Sequence, residues 1–114
     1  MRLIRLSNKS DECWRDLPAL RRSIEEAAVH FNQQSVGNLI DRMVAGFVTE
    51  GNAAVPLDQQ GLIAVWYVLD ELGAIRAHLL ALQTEWDGRP VITVYQVWAP
   101  NMPLDIQTLV LEEL

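Results

Sequence analysis

The chain is poor in cysteine, in basic charge and in long apolar runs, and each scarcity removes a class of protein. Cys13 is the single cysteine in 114 residues. It has no partner for an internal disulfide, so a secreted, disulfide-framed domain is not expected and a reducing, cytosolic setting is. No uninterrupted apolar stretch approaches the roughly 20 residues of a membrane-spanning helix. The opening Met1-Arg2-Leu3-Ile4-Arg5-Leu6 has a basic flavour, but Asn8, Lys9, Asp11 and Glu12 end the apolar run at once. A signal peptide needs a longer one and a small-residue cleavage site. Nine basic residues stand against fifteen acidic ones, a net charge of −6. The basic residues are scattered, so neither nucleic acid nor a membrane surface is an expected partner. Repeats and low-complexity tracts are absent as well.

What is present is a hydrophobic half of the chain (50%) broken into short runs. That is enough for one core and one domain over residues 1–114. Residues 2–7 alternate as a short strand, and Asn8 to Ser10 supply turn and helix-capping chemistry. Cys13, Leu17, Leu20, Ile24, Ala27 or Ala28, and Phe31 then recur at spacings of three and four, with Arg15, Arg21, Arg22, Glu25 and Glu26 opposite them. This is an amphipathic helix with one buried stripe. Pro18 lies inside it, which predicts either a kink or a separate first turn ending before the proline. A second, weaker helix is expected after Ser35, with Val36, Leu39, Ile40, Met43, Val44 and Phe47 on its inner face. A surface loop follows over residues 49–60.

The period then changes. Leu62 to Leu69 is a continuous β-branched and aromatic run, suited to a strand buried on both faces. Asp70-Glu71-Leu72-Gly73 reads as a hairpin turn, Ala74 to Trp86 as a long strand, and Asp87-Gly88-Arg89-Pro90 as a second turn. The third strand of the meander is Val91 to Ala99, with Thr93, Tyr95 and Val97 on one face and Ile92, Val94, Gln96 and Trp98 on the other. Pro100 and Pro103 end it, and Leu104 to Leu114 suits a short helix capped near Asp105, though a strand is an alternative. The expected fold is therefore α/β (α+β): an N-terminal strand, two helices, a three-stranded antiparallel meander and a terminal helix. The helices would cover one or both faces of a mixed sheet.

Candidate chemistry is sparse. His30 sits near the end of the first helix, where a histidine interacts with the helix C-terminus. His78 falls in a strand among apolar neighbours, where the ordinary role is a half-buried, hydrogen-bonded one. The two share no local motif for a metal or a catalytic pair. Cys13 stands at a helix start, where a thiolate can be stabilised, but its place on the apolar stripe reads as a small core residue. Glu85 and Asp87 flank Trp86 as solvated hairpin charges and are not assigned as a general base. The aromatics are more informative. Trp66, Tyr67, Trp86, Tyr95 and Trp98 all fall in the meander, as core or as interface anchors. Trp66 and Tyr67 point to opposite faces.

Three features together resemble the first part of the GNAT (acetyltransferase) fold: the N-terminal strand followed by a helix carrying Trp14, Leu17 and Pro18; the strand Ala64-Val65-Trp66-Tyr67-Val68-Leu69 leading into Asp70-Glu71-Leu72-Gly73-Ala74-Ile75; and the strand Val94-Tyr95-Gln96-Val97-Trp98-Ala99. The chain is especially similar to short GNAT-like proteins encoded among the structural genes of tailed bacteriophages. This implies a virion or assembly component that moves from the host cytoplasm into the particle, with other virion proteins or further copies of itself as partners. GNAT enzymes follow the fourth strand with a glycine-rich turn, R/Q-x-x-G-x-G/A, whose backbone N–H groups hold the coenzyme A pyrophosphate. The matching segment, Ala99-Pro100-Asn101-Met102-Pro103-Leu104-Asp105, has no glycine and no basic residue. Its prolines remove donors and Asp105 repels phosphate, so no cofactor is expected. The family's later strands are also lacking, which predicts an open edge over Val91 to Trp98, a stretch without charge or proline. Val91, Thr93, Tyr95, Val97, Trp98 and Met102 are the expected interface residues of a non-enzymatic adaptor. The alternatives are an acyl-coenzyme A-dependent N-acetyltransferase, whole or completed by a second subunit, and a small regulatory protein.

Overall fold

The computed structural model describes residues 1–7, 9–33, 41, 61–100 and 106–113. The expected second helix and the loop over 49–60 fall outside the described residues except for Asp41, as does the proline-bounded segment 101–105 with Met102. The described elements are β1 (Arg2–Arg5), α1 (Asp11–His30), β2 (Gly61–Leu69), β3 (Ile75–Trp86), β4 (Arg89–Trp98) and α2 (Ile106–Glu113). They form a mixed α+β fold around one four-stranded sheet of order β1-β2-β3-β4. Every pairing in it is antiparallel, where a mixed sheet was expected. The reason is that β1 runs antiparallel to β2, from Arg2↔Leu69 to Arg5↔Trp66.

α1 begins where the capping chemistry places it. The Ser10 side chain accepts a hydrogen bond from the Cys13 N–H at 3.3 Å, and Asp11 and Glu12 occupy the positively polarised first turn. The helix runs unbroken through Pro18, so the separate first turn does not form. Pro18 is exposed, and the carbonyl it leaves without its usual donor belongs to Trp14, itself 45% exposed. On the solvent side of a helix that lost bond is tolerated. The helix ends in a Schellman motif: Asn32, at φ 55°, donates to the Val29 carbonyl, and the Gln33 N–H donates to Ala28. Asparagine tolerates this left-handed position better than most residues.

The two hairpin turns form at Asp70–Gly73 and Asp87–Gly88. In the first, Asp70 Oδ1 accepts from the Leu72 and Ala74 N–H groups, both at 2.9 Å, and Gly73 takes φ 83°. These donors, Ala74 foremost, hold the Asp70 carboxyl below the ordinary carboxylate range. In the second, Asp87 and Gly88 both have positive φ, the signature of a two-residue type I′ turn. Arg89 and Pro90 therefore belong to β4 and pair with Trp86 and Glu85, rather than lying in the turn.

β2 is buried on both faces, as its continuous apolar run requires. Ile63, Val65, Tyr67 and Leu69 join Leu80, Cys13, Leu20, Ile24 and Ala28 under α1. Ala64, Trp66 and Val68 join Ala77, Leu79, Ala81, Ile106 and Val110 under α2. Among the described elements the sheet is thus a middle layer with α1 on one face and α2 on the other.

Candidate functional site

Polar groups are concentrated in the α1 layer. His78 comes from the centre of β3 and is wholly buried, beyond the half-burial expected. Its Nδ1 lies 2.7 Å from Ser23 Oγ on α1, and its Nε2 makes a short hydrogen bond with Gln96 Oε1 on β4. The Gln96 amide nitrogen donates to the Ile24 carbonyl at 3.2 Å and to Gln33 Oε1 at 3.0 Å. Gln33 Nε2 in turn donates to the Tyr95 carbonyl at 3.1 Å. The directions are forced. A Gln96 nitrogen that donates twice leaves its oxygen as acceptor, so His78 carries its proton on Nε2 and Nδ1 accepts from the Ser23 hydroxyl. Burial disfavours the imidazolium and lowers the His78 pKa from 6.5 to about 4.

A second polar group sits nearer the start of α1. Tyr67 Oη donates to Asp16 Oδ2 at 3.0 Å and lies 3.4 Å from Cys13 Sγ, while Arg15 Nε reaches Asp16 Oδ1 at 3.4 Å. Asp16 is 6% exposed and Cys13 fully buried. Burial, followed by the Cys13 and Asp16 contacts, pushes the Tyr67 phenol far above its ordinary value, which keeps it a donor at any working pH. The arrangement serves as a clamp between α1 and β2. Tyr67→Phe deprives a buried carboxylate of a hydrogen bond, and chemical denaturation is expected to show a loss of about 1.5–3 kcal/mol.

Among the described residues, no buried side-chain nitrogen or oxygen lacks a hydrogen-bond partner. No set of three or more histidine, cysteine, aspartate or glutamate side chains is grouped to hold a metal ion there either. No described helix is long and apolar enough to cross a membrane.

β4 carries the residues singled out in the sequence. A β-bulge breaks its alternation: Leu80 pairs with Gln96 but Ala81 pairs with Val94, leaving Tyr95 as the extra residue. Tyr95 and Gln96 consequently both turn toward α1, and Val97 is carried to the α2 face, where it packs on the second cluster. The expected grouping of Thr93, Tyr95 and Val97 on one face is therefore overturned. Thr93, opposite Leu82, is on the α1 side with Tyr95, but Val97 is on the other. The same bulge separates Gln96 and Trp98 from Val94. Val91 (38%), Thr93 and Val94 (40%) are exposed, whereas Tyr95, Val97 and Trp98 are half-buried.

The far end of β4 meets the end of α1 in an aromatic corner. Trp98 packs at a tilt against His30 with ring centroids 4.8 Å apart and meets Phe31 edge-on at 5.7 Å. Phe31, expected in the buried stripe, is 45% exposed, because the helix ends at its position and turns outward into the Schellman loop. His30 is exposed beside it. Among the described residues β4 has β3 on one side and no strand on the other. No protein-family model, curated protein or solved structure matches the chain.

Asp16, Gln33 and Gln96 are the residues the sequence reading missed. Asp16 had a signal: it falls on the apolar stripe, three after Cys13 and four before Leu20. Gln96 had a weaker one, as a lone amide between valines in a strand, and Gln33 had none.

Proposed function

We propose that the chain is a non-catalytic protein-interaction module whose contact surface is the corner where α1 ends beside β4, used as an adaptor in the assembly of a tailed bacteriophage. The observation that carries this reading is the half-exposed pair Phe31 and Trp98 set beside the uncharged stretch Val91–Trp98, whose strand is at the sheet edge among the described residues. Aromatic anchors next to open backbone donors and acceptors are what protein contacts use, through packing and through strand addition. The internal polar groups support it from the other direction: His78, Gln96, Tyr67 and Asp16 are buried and bonded to one another, holding layers together with no side chain turned to a substrate. The element order is in keeping with a shortened acetyltransferase-like scaffold. The phage setting, with the protein moving from host cytoplasm to particle, rests on the resemblance alone.

Two measurements test the reading. Purified phage particles are expected to contain the protein at fixed stoichiometry, in contact with a neighbouring virion protein through Phe31 and Trp98. Truncating either to alanine should weaken that contact by about 2 kcal/mol, as interface aromatics typically do. Titration with acetyl-coenzyme A by calorimetry should be silent. Micromolar heat of binding would overturn the adaptor in favour of a transferase.

A further inference from the structure

We infer that the occupant of the β4 edge is a second copy of this chain, paired antiparallel through Val91–Val94 so that one continuous sheet runs across both molecules. The inference rests on the interaction-module reading and names its partner.

The open stretch has definite limits. At one end the Asp87-Gly88 turn closes the β3–β4 hairpin. At the other, Gln33 Nε2 occupies the Tyr95 carbonyl, which an added strand would otherwise use. Between these lies a segment whose outer side faces no other strand among the described residues. Natural edges are guarded by lysine and other charge, by proline or by a bulge, and β4 begins with two such residues, Arg89 and Pro90. Here the bulge and the Gln33 cap lie past Val94, and Val91 to Val94 carries no charge.

Self-pairing is favoured over a foreign strand for two reasons. Val91, Ile92, Thr93 and Val94 are all β-branched. Any antiparallel register with its twofold axis inside this segment therefore sets β-branched residues against one another, a favourable cross-strand pairing with no like charges opposed. The ends are also complementary. Alternation from Thr93 places Arg89 on the α1 side of the sheet, where it is exposed. An antiparallel partner brings each Arg89 toward the other copy's Trp98 and the C-terminal end of its α1. That end presents partial negative charge and aromatic faces, both attractive to a guanidinium. A parallel or displaced strand would lose this match. Symmetric self-complementarity of one patch is what a twofold dimer requires.

Sedimentation velocity of the full chain over a wide concentration series should show a monomer–dimer equilibrium. Val94→Lys places two lysines across the shared edge and should weaken the dimer at least about tenfold, with the circular dichroism spectrum unchanged. Arg89→Glu should weaken it in the same direction. Leu72→Lys at the β2–β3 turn, where the side chain is 94% exposed, should leave it intact. If Val94→Lys proves unfolded, hydrogen exchange on the unaltered protein gives the answer, since amides within residues 91–94 should become more protected as concentration rises. A monomer at every concentration overturns the inference, and so does a dimer weakened equally by Leu72→Lys. A monomer that still binds a virion protein through Phe31 and Trp98 overturns only the second copy as occupant and leaves the adaptor standing.

Discussion

Gln96→Leu is expected to be the most damaging single substitution in the α1 layer. Leucine fits the volume but makes none of the bonds. It strands the His78 Nε2–H in a fully dry environment and removes a second donor from the Ile24 carbonyl, which keeps its helical bond, and one from the Gln33 oxygen. Each buried polar group left without a partner costs about 1–3 kcal/mol. With Gln33 free to turn to water, one stranded donor and one lost bond to Ile24 set the expected loss at about 2–4 kcal/mol, a large share of the 5–15 kcal/mol typical of a domain. Urea denaturation should show the midpoint falling with the slope unchanged. A loss under about 1 kcal/mol would mean that the amide is not the link between α1 and β4. Gln96→Glu should be damaging for a different reason: a carboxylate there accepts from His78 but cannot donate to Ile24 or Gln33.

The second large effect is on the acid side of the stability profile. His78 is neutral in the fold, with its pKa lowered from 6.5 to about 4 by burial. Between those values the unfolded chain binds a proton that the native chain does not, so native stability falls as pH falls. The contribution is complete above pH 6.5, declines through the interval and is exhausted below about pH 4. At 1.36 kcal/mol per pKa unit the whole change is about 3 kcal/mol. His78→Gln keeps a donor toward Gln96 but does not titrate. The difference between its stability curve and that of the unaltered protein should therefore carry this slope, with carboxylate contributions cancelling. Parallel curves between pH 4 and 6.5 would show that the imidazole is hydrated or charged in the native state.

These two expectations concern groups that only the fold brings together. Ser23, Gln33, His78 and Gln96 are separated by up to 73 positions in sequence (Ser23 to Gln96), yet they form one hydrogen-bonded chain from α1 to the edge of the sheet. The bulge at Tyr95 is what makes it possible: without the extra residue, alternation would turn Gln96 away from α1. No turn residue or composition change announces that bulge, so the expected faces of β4 were right as far as Tyr95 and shifted from Gln96 onward.

Local chemistry, by contrast, was legible in the residues themselves. Ser10 as the cap of α1, the stripe from Cys13 to Ala28, β2 as a strand buried on both faces and the Asp-Gly turn at Asp87 each follow from interactions within a few residues, where backbone sterics and periodicity decide the outcome. What needed the tertiary structure was whatever depends on distant neighbours: the antiparallel entry of β1, the exposure of Phe31, the continuity of α1 through Pro18, and the pairing of a buried histidine with a glutamine from another strand. Sequence determines which segments can become helix or strand because those preferences are short-ranged. Which side chain finds which partner depends on how the layers stack, because a buried polar group takes its bond from whatever the packed core places beside it.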